Sequence, residues 1–191
     1  MANVDSVFGF QLVEDNSLTP LEMCIMSDAT ATFIGDAVKT AGSAARIVGG
    51  PYKKTVAQCA ATDPIYGIVQ GFVPYEGAMD LSVRHRAASV VKYVMIKPAN
   101  HQDIYRIQSS GTALAVTDIG LNADILVGTG NAITGMSAME VDNSTKNTTA
   151  GLQVKIIGFD DRPGNVIGTD ADILVRINQS ELGNDAGTAG V

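Results

Sequence analysis

Short apolar runs alternate with turn signals from residue 21 onward. LEMCIM (21–26) is followed by SDAT, FIGDAVKT (33–40) by AGSA, and IYGIVQGFV (65–73) by PYEG. Each run has the length of a strand, and no window keeps an i, i+3, i+4, i+7 stripe through several turns. Residues 90–108 predict an antiparallel hairpin. VVKYVMI and IYRIQ form its β-rich arms, and KPANHQD joins them through a loop of about five to seven residues. LQVKIIGF (152–159) and DILVRIN (172–178) predict two more strands. The segment 109–150 is rich in Gly, Thr, Asn and Ala, and reads as loops and short strands on a surface.

The ends read differently. Residues 1–20 predict an extended arm: Val4, Val7, Phe8 and Phe10 are apolar but too loosely spaced for a helix, and EDNSLTP breaks the chain at Pro20. Residues 21–182 form the body, and 183–191 (GNDAGTAGV) a flexible tail. NADILVG (122–128) echoes DADILVR (170–176), a likeness over about six residues that is too short to define a repeat. The pattern therefore predicts a mainly β chain with little helix. Its body is a compact β-barrel or β-sandwich, and strand patterns alone leave both open.

Composition sharpens this in four ways. With 46% hydrophobic and 17% charged residues, the chain has the makings of a packed core and not of a disordered segment. A net charge of −7 argues against a surface that tracks phosphates, so no nucleic-acid partner is expected. The local basic triplet Arg84-His85-Arg86 reads as a solvated strand end or an interface rim. No apolar run approaches the roughly 20 residues of a membrane span, and MANVDSVFGF lacks the regions of a signal peptide. The acceptor patterns at Asn143, Asn147 and Asn178 then read as accidents of an Asn- and Thr-rich chain. Cys24 and Cys59 are too few for a disulfide framework and read as buried free thiols.

Candidate chemistry is sparse. GNAITGMS (130–137) places Gly130, Gly135 and Ser137 as a phosphate-binding loop does, but Met136 stands where that loop needs a lysine. The segment after it, with Val141, Asn143, Ser144 and Thr145, makes a poor helix. The dinucleotide fingerprint fails because residue 133 is Ile. His85 and His101 lack companions at zinc spacing. Asp160 and Asp161 are adjacent on an extended chain, so they face apart. With Arg162 they read as a Pro-Gly turn holding a local ion pair. The Met pairs 23/26 and 136/139 read as adaptable packing residues. The expectation is a protein without catalytic centre, cofactor or metal, whose work is done by surfaces.

Several stretches carry a family likeness: MANVDSVFGFQLV at the start, FIGDAVKTAG, DPIYGIVQGF, and VKYVMIKPANHQDIYRIQ. The most specific are DIGLNADILVGTGNAITGMSAMEVD (118–142) and GFDDRPGNVIGTDADILVRIN (158–178). In these stretches the chain resembles the capsid decoration, or cement, proteins of tailed bacteriophages. The resemblance implies a homotrimer on the outer surface of the phage head, at or near a three-fold position, that bridges major capsid protein subunits. A protein that binds only the expanded shell stabilises that state by linkage. The resemblance also makes GNAITGMS a structural connection. The residues expected to meet the capsid or a neighbouring subunit are Val4, Val7, Phe8 and Phe10 of the arm, with Met136 and Met139 of the 118–150 surface. Such an arm could add a strand to a neighbour's sheet edge, or fold back on its own barrel. Two alternatives stand beside this reading. One is a tail or fibre-associated virion protein or receptor-binding module, and the other a small enzyme or carbohydrate-binding domain.

Overall fold

Strand pairing sorts the β-rich runs into two sheets. The computed structural model describes residues 3–74, 84–183 and 186–190. The strands are β1 (Gln11–Glu14), β2 (Glu22–Met26), β3 (Ala37–Ala45), β4 (Lys53–Gln58), β5 (Gly67–Val73), β6 (Lys92–Pro98), β7 (Ile104–Gln108), β8 (Asn122–Val127), β9 (Met139–Asn147), β10 (Val154–Phe159) and β11 (Asp172–Ile177). The described residues hold one short 3-10 turn, Val116–Asp118. The chain is mainly β, as the apolar pattern predicts. It is two sheets rather than one closed barrel. The first runs β2-β4-β3-β5-β6, and β6 returns to pair with β2. The second runs β1-β7-β11-β10-β8-β9.

The second sheet repeats the first. Taking β7 to β11 as the counterparts of β2 to β6, every pairing recurs with the same sense. The parallel pair β2–β4 has its equivalent in a parallel bridge from Ser109 to Val141, at the ends of β7 and β9. The register agrees as well. The β5–β6 ladder slips between Val69 and Gly71, and the β10–β11 ladder slips between Ile156 and Gly158. Gly71-Phe72 and Gly158-Phe159 therefore occupy the same place. Ahead of β3, Gly35 (φ +93°) donates its N–H to Val69 O at 2.9 Å, and Val69 N–H returns to Asp36 O at 2.9 Å. Ahead of β8, Gly120 (φ +95°) donates its N–H to Ile156 O at 2.8 Å, and Ile156 N–H returns to Leu121 O at 2.9 Å. Only glycine takes that backbone region without strain. The echo between 122–128 and 170–176 is not this repeat, because it aligns β8 with β11, whereas the fold equates β8 with β3 and β11 with β6.

This layout corrects the expected hairpin over 90–108. Both edges of β6 are occupied, by β2 and β5. It has no free backbone groups to offer β7, which pairs with β1 and β11 instead. Residues 99–103 are the crossover between the two sheets. Asp103 is fully buried there and accepts bonds from Ser17 N–H and Oγ, both at 2.8 Å.

The ends also differ from expectation. The described residues of the first twenty do not stand off the body as an extended arm. β1 pairs with β7 at the sheet edge, and Phe10 is buried edge-on against Tyr105 at 5.9 Å. Asn3 donates to Val166 O and Thr169 O, both at 2.7 Å. The hydrophobic gain of burying Phe10 and Leu12 in the chain's own core holds this segment down. The expected flexible tail over 183–191 is tied down where it is described. Thr188 N–H donates to Asn178 Oδ1 at 2.9 Å, and Gly190 N–H to Thr148 O at 3.0 Å. The PYEG turn after 65–73 lies, beyond Pro74, outside the described residues.

One core cluster lies inside the first sheet, around Cys24, Met26, Val38, Val69 and Ile96. A larger one fills the second sheet and crosses the junction, joining Phe10, Ala37 and Ile68 to Ile107, Val141 and Ile156. Both cysteines are buried free thiols, and burial pushes the Cys24 thiol up to about 11. Of the basic triplet, Arg84 is exposed as expected, whereas His85 and Arg86 are not a solvated rim. His85 stacks on Phe33 at 5.1 Å. The Arg86 side chain is fully buried and pairs with Asp28. It also donates to Thr32 Oγ1 and to the carbonyls of Asp28, Thr30 and Val90. A buried guanidinium is tolerable only with its donors met in this way.

Candidate functional site

Three segments converge where the N-terminal residues meet the glycine-rich connection. Gly9 takes φ +68°, and a Cβ there would lie 2.4 Å from Ser137 Cβ, so only glycine allows the approach. Phe10 N–H donates to Gly35 O at 2.9 Å. On the other side of residues 33–37, Ile34 bridges Met136 in parallel, and Ser137 N–H donates to Ile34 O at 2.9 Å. Asp36 is buried under this junction. It accepts from Phe33 N–H and Gln58 Nε2, both at 2.9 Å, and burial pushes its carboxyl up to about 6.

This junction divides the expected contact residues into two groups. Phe10 and Met139 are core residues, and the Met139 sulfur accepts the Ala37 N–H at 3.1 Å. Neither is available to a partner. Val7, Phe8 and Met136 are half-buried and line one surface groove of about 650 Å³, among polar residues that include Asp5, Ser6, Gln11, Thr129 and Asn131. Val4 does not line the groove and stands 76% exposed next to a separate shallow cleft. The Arg106 guanidinium lies 5.3 Å from the centre of the Phe8 ring, which fixes the ring at the surface.

The GNAITGMS turn beside the groove spends its own backbone donors. Asn131 Oδ1 accepts from Ile133 N–H at 2.9 Å and Thr134 N–H at 3.2 Å. Gly135 N–H donates to Asn131 O at 2.7 Å. A phosphate cradle needs such N–H groups pointing outward, and here they point inward. The turn presents Ile133 instead, 86% exposed at its tip. In the sequence Ile133 stands out only as the residue that breaks the dinucleotide fingerprint, and nothing local marks it as exposed.

An acidic patch overlaps the groove at Asp5. The Glu140 carboxyl is pushed up to about 7, first by burial and then by the negative charges of Asp5 and Asp170. These three come from the N-terminal segment, the start of β9 and the residues just before β11, so no local motif announces them. The Asp160/Asp161 pair behaves as its spacing predicts. Arg162 bridges Asp160 and Asp172 across the turn. Among the described residues, no three His, Cys, Asp or Glu side chains stand close enough to share a metal ion.

No family model, curated protein or solved structure matches the chain.

Proposed function

We propose that this chain is a virion structural protein: a decoration, or cement, protein that binds the outer surface of a tailed-phage head and stabilises the expanded shell by bridging major capsid protein subunits. The observation that carries the proposal is the groove of Val7, Phe8 and Met136. It gathers apolar side chains from two of the segments that carry the likeness, the opening residues and the 118–142 connection, and leaves them at the surface beside an exposed Ile133. Apolar residues held half-open by a rigid backbone are what a protein partner fills. The proposed unit is a homotrimer in the virion. At the finer level, we read each five-strand set as a small barrel, the second held shut between β7 and β9 by one bridge.

Cosedimentation with expanded shells tests this. Phe8→Ala and Met136→Ala each remove a groove side chain outside the core, and each is expected to weaken shell binding by about 1–2 kcal/mol, roughly tenfold. Their melting temperatures stay near that of the parent. A folded Val7→Asp, Met136→Asp variant that still decorates shells at full strength would overturn the proposal.

A further inference from the structure

A second pocket, of about 720 Å³, opens between the crossover after β6 and the β10–β11 pair. Lys155 and Arg176 sit directly opposite each other in that antiparallel ladder, and His101 joins them from the crossover. Like charges facing each other across a ladder repel. Lys155 Nζ donates to Ala189 O at 3.2 Å, while Arg176 has no hydrogen-bond or ion-pair partner among the described residues. No Asp or Glu among the described residues lines the pocket.

The repeat shows what is missing. The counterpart of Arg176 in the first sheet is Lys97, since Lys97 pairs with Ile68 where Arg176 pairs with Lys155. Lys97 is buried and neutralised by Asp15 at 2.5 Å and Asp103 at 3.8 Å. In the second sheet the same cation is left open to solvent, in a chain whose net charge is −7. The converse is an acidic patch at the surface, where Asp5 and Asp170 set their negative charge against Glu140, with Arg162 in the cleft that Asp170 lines. Asp170 precedes β11 and Arg176 lies six residues further on, roughly 20 Å along an extended strand. One molecule cannot bring the two surfaces together, but two copies can.

We infer that copies of this chain associate head to tail, with the Asp5–Glu140–Asp170 patch of one seated at the His101–Lys155–Arg176 pocket of the next. Such a contact is heterologous, and it makes a ring when its rotation closes. The inference deepens the homotrimer part of the proposed function and rests on it only for the number of copies.

Light scattering on the full chain at low and high salt tests it, with Arg176→Glu, Glu140→Lys and the double variant, each checked for folding by its melt. The parent is expected to be an oligomer that loosens as salt screens the contact. Each single variant loses about tenfold or more in association, and the double variant, with its charges exchanged, regains most of it. A parent that stays monomeric at low salt overturns the inference, and so does Arg176→Glu with an unchanged mass. Two further results overturn it: single variants that dissociate with no recovery in the double, and inorganic phosphate that raises the melting temperature of a monomeric parent, which would make the pocket a small-anion site. An oligomer indifferent to these charges leaves the trimer standing and removes this contact. The predicted charge pattern without shell decoration removes the proposed function and leaves the contact.

Discussion

Charged groups placed inside an apolar body carry the sharpest consequences at the scale of single residues. Arg86 ties residues 28–32 to 86–90 with its full set of donors. Arg86→Ala leaves the carbonyls of Asp28, Thr30 and Val90 without that partner, and urea unfolding should show a loss of about 3 kcal/mol or more. Glu140 gives a pH test. Its carboxyl is raised in the folded chain, so the folded state holds the proton more tightly than the unfolded state does. That contribution is fully present below the ordinary value of 4.5 and is lost as pH rises through about 7. Glu140→Gln should match the parent near pH 4 and exceed it at pH 8, by about 1 kcal/mol after discounting for solvent screening. Melts across that range in high salt, where association is suppressed, read the difference directly. Among the contact candidates, Val7, Phe8, Phe10, Met136 and Met139 all read as apolar residues in polar surroundings. Their fates part at Gly9, whose left-handed backbone packs on Ser137 and sends Phe10 inward while Phe8 stays at the surface. Residue type alone does not carry that division.

At the scale of elements, strand existence was legible and strand partnership was not. LEMCIM, VVKYVMI, IYRIQ, LQVKIIGF and DILVRIN each contain a strand, because β-branched runs between turn residues favour extended backbone wherever they pair. Pairing depends on what else occupies an edge. VVKYVMI and IYRIQ look like a hairpin because they are close in sequence, yet β2 and β5 take both edges of β6. The repeat was hidden for a related reason. Among its aligned positions, the backbone demands identity at Gly35 and Gly120, which take φ +93° and +95°; Gly71-Phe72 and Gly158-Phe159 also match, though an added Cβ at either glycine would meet open space. The remaining positions need only be apolar and of suitable size. The N-terminal segment follows as an element of the body. Phe10→Ala should cost about 3–5 kcal/mol as a core truncation, whereas Phe8→Ala costs little stability. A chain lacking residues 2–12 should melt far below the parent. If it melted like the parent, the segment would be an arm after all.

For the whole molecule, two equivalent five-strand sets share one core cluster across their junction, so unfolding should be a single cooperative step rather than two. Differential scanning calorimetry checks this by the agreement of calorimetric and van't Hoff enthalpies. The repeat also explains why the surfaces differ so much in character. The two sheets have the same backbone plan, and the second uses its freedom to leave Lys155 and Arg176 open where the first encloses Lys97. The groove of Val7, Phe8 and Met136 is walled by the N-terminal segment and by the connection between β8 and β9, both on the side of the second sheet. The account centres on that groove meeting a capsid protein on the outside of a head. The most direct measurement is a cryo-electron microscopy difference map between heads carrying this chain and heads lacking it. The account predicts density in many copies on the outer face of the expanded shell, with Phe8 and Met136 turned toward the major capsid protein. Density confined to the tail, or density on the shell with the groove turned to solvent, would contradict it.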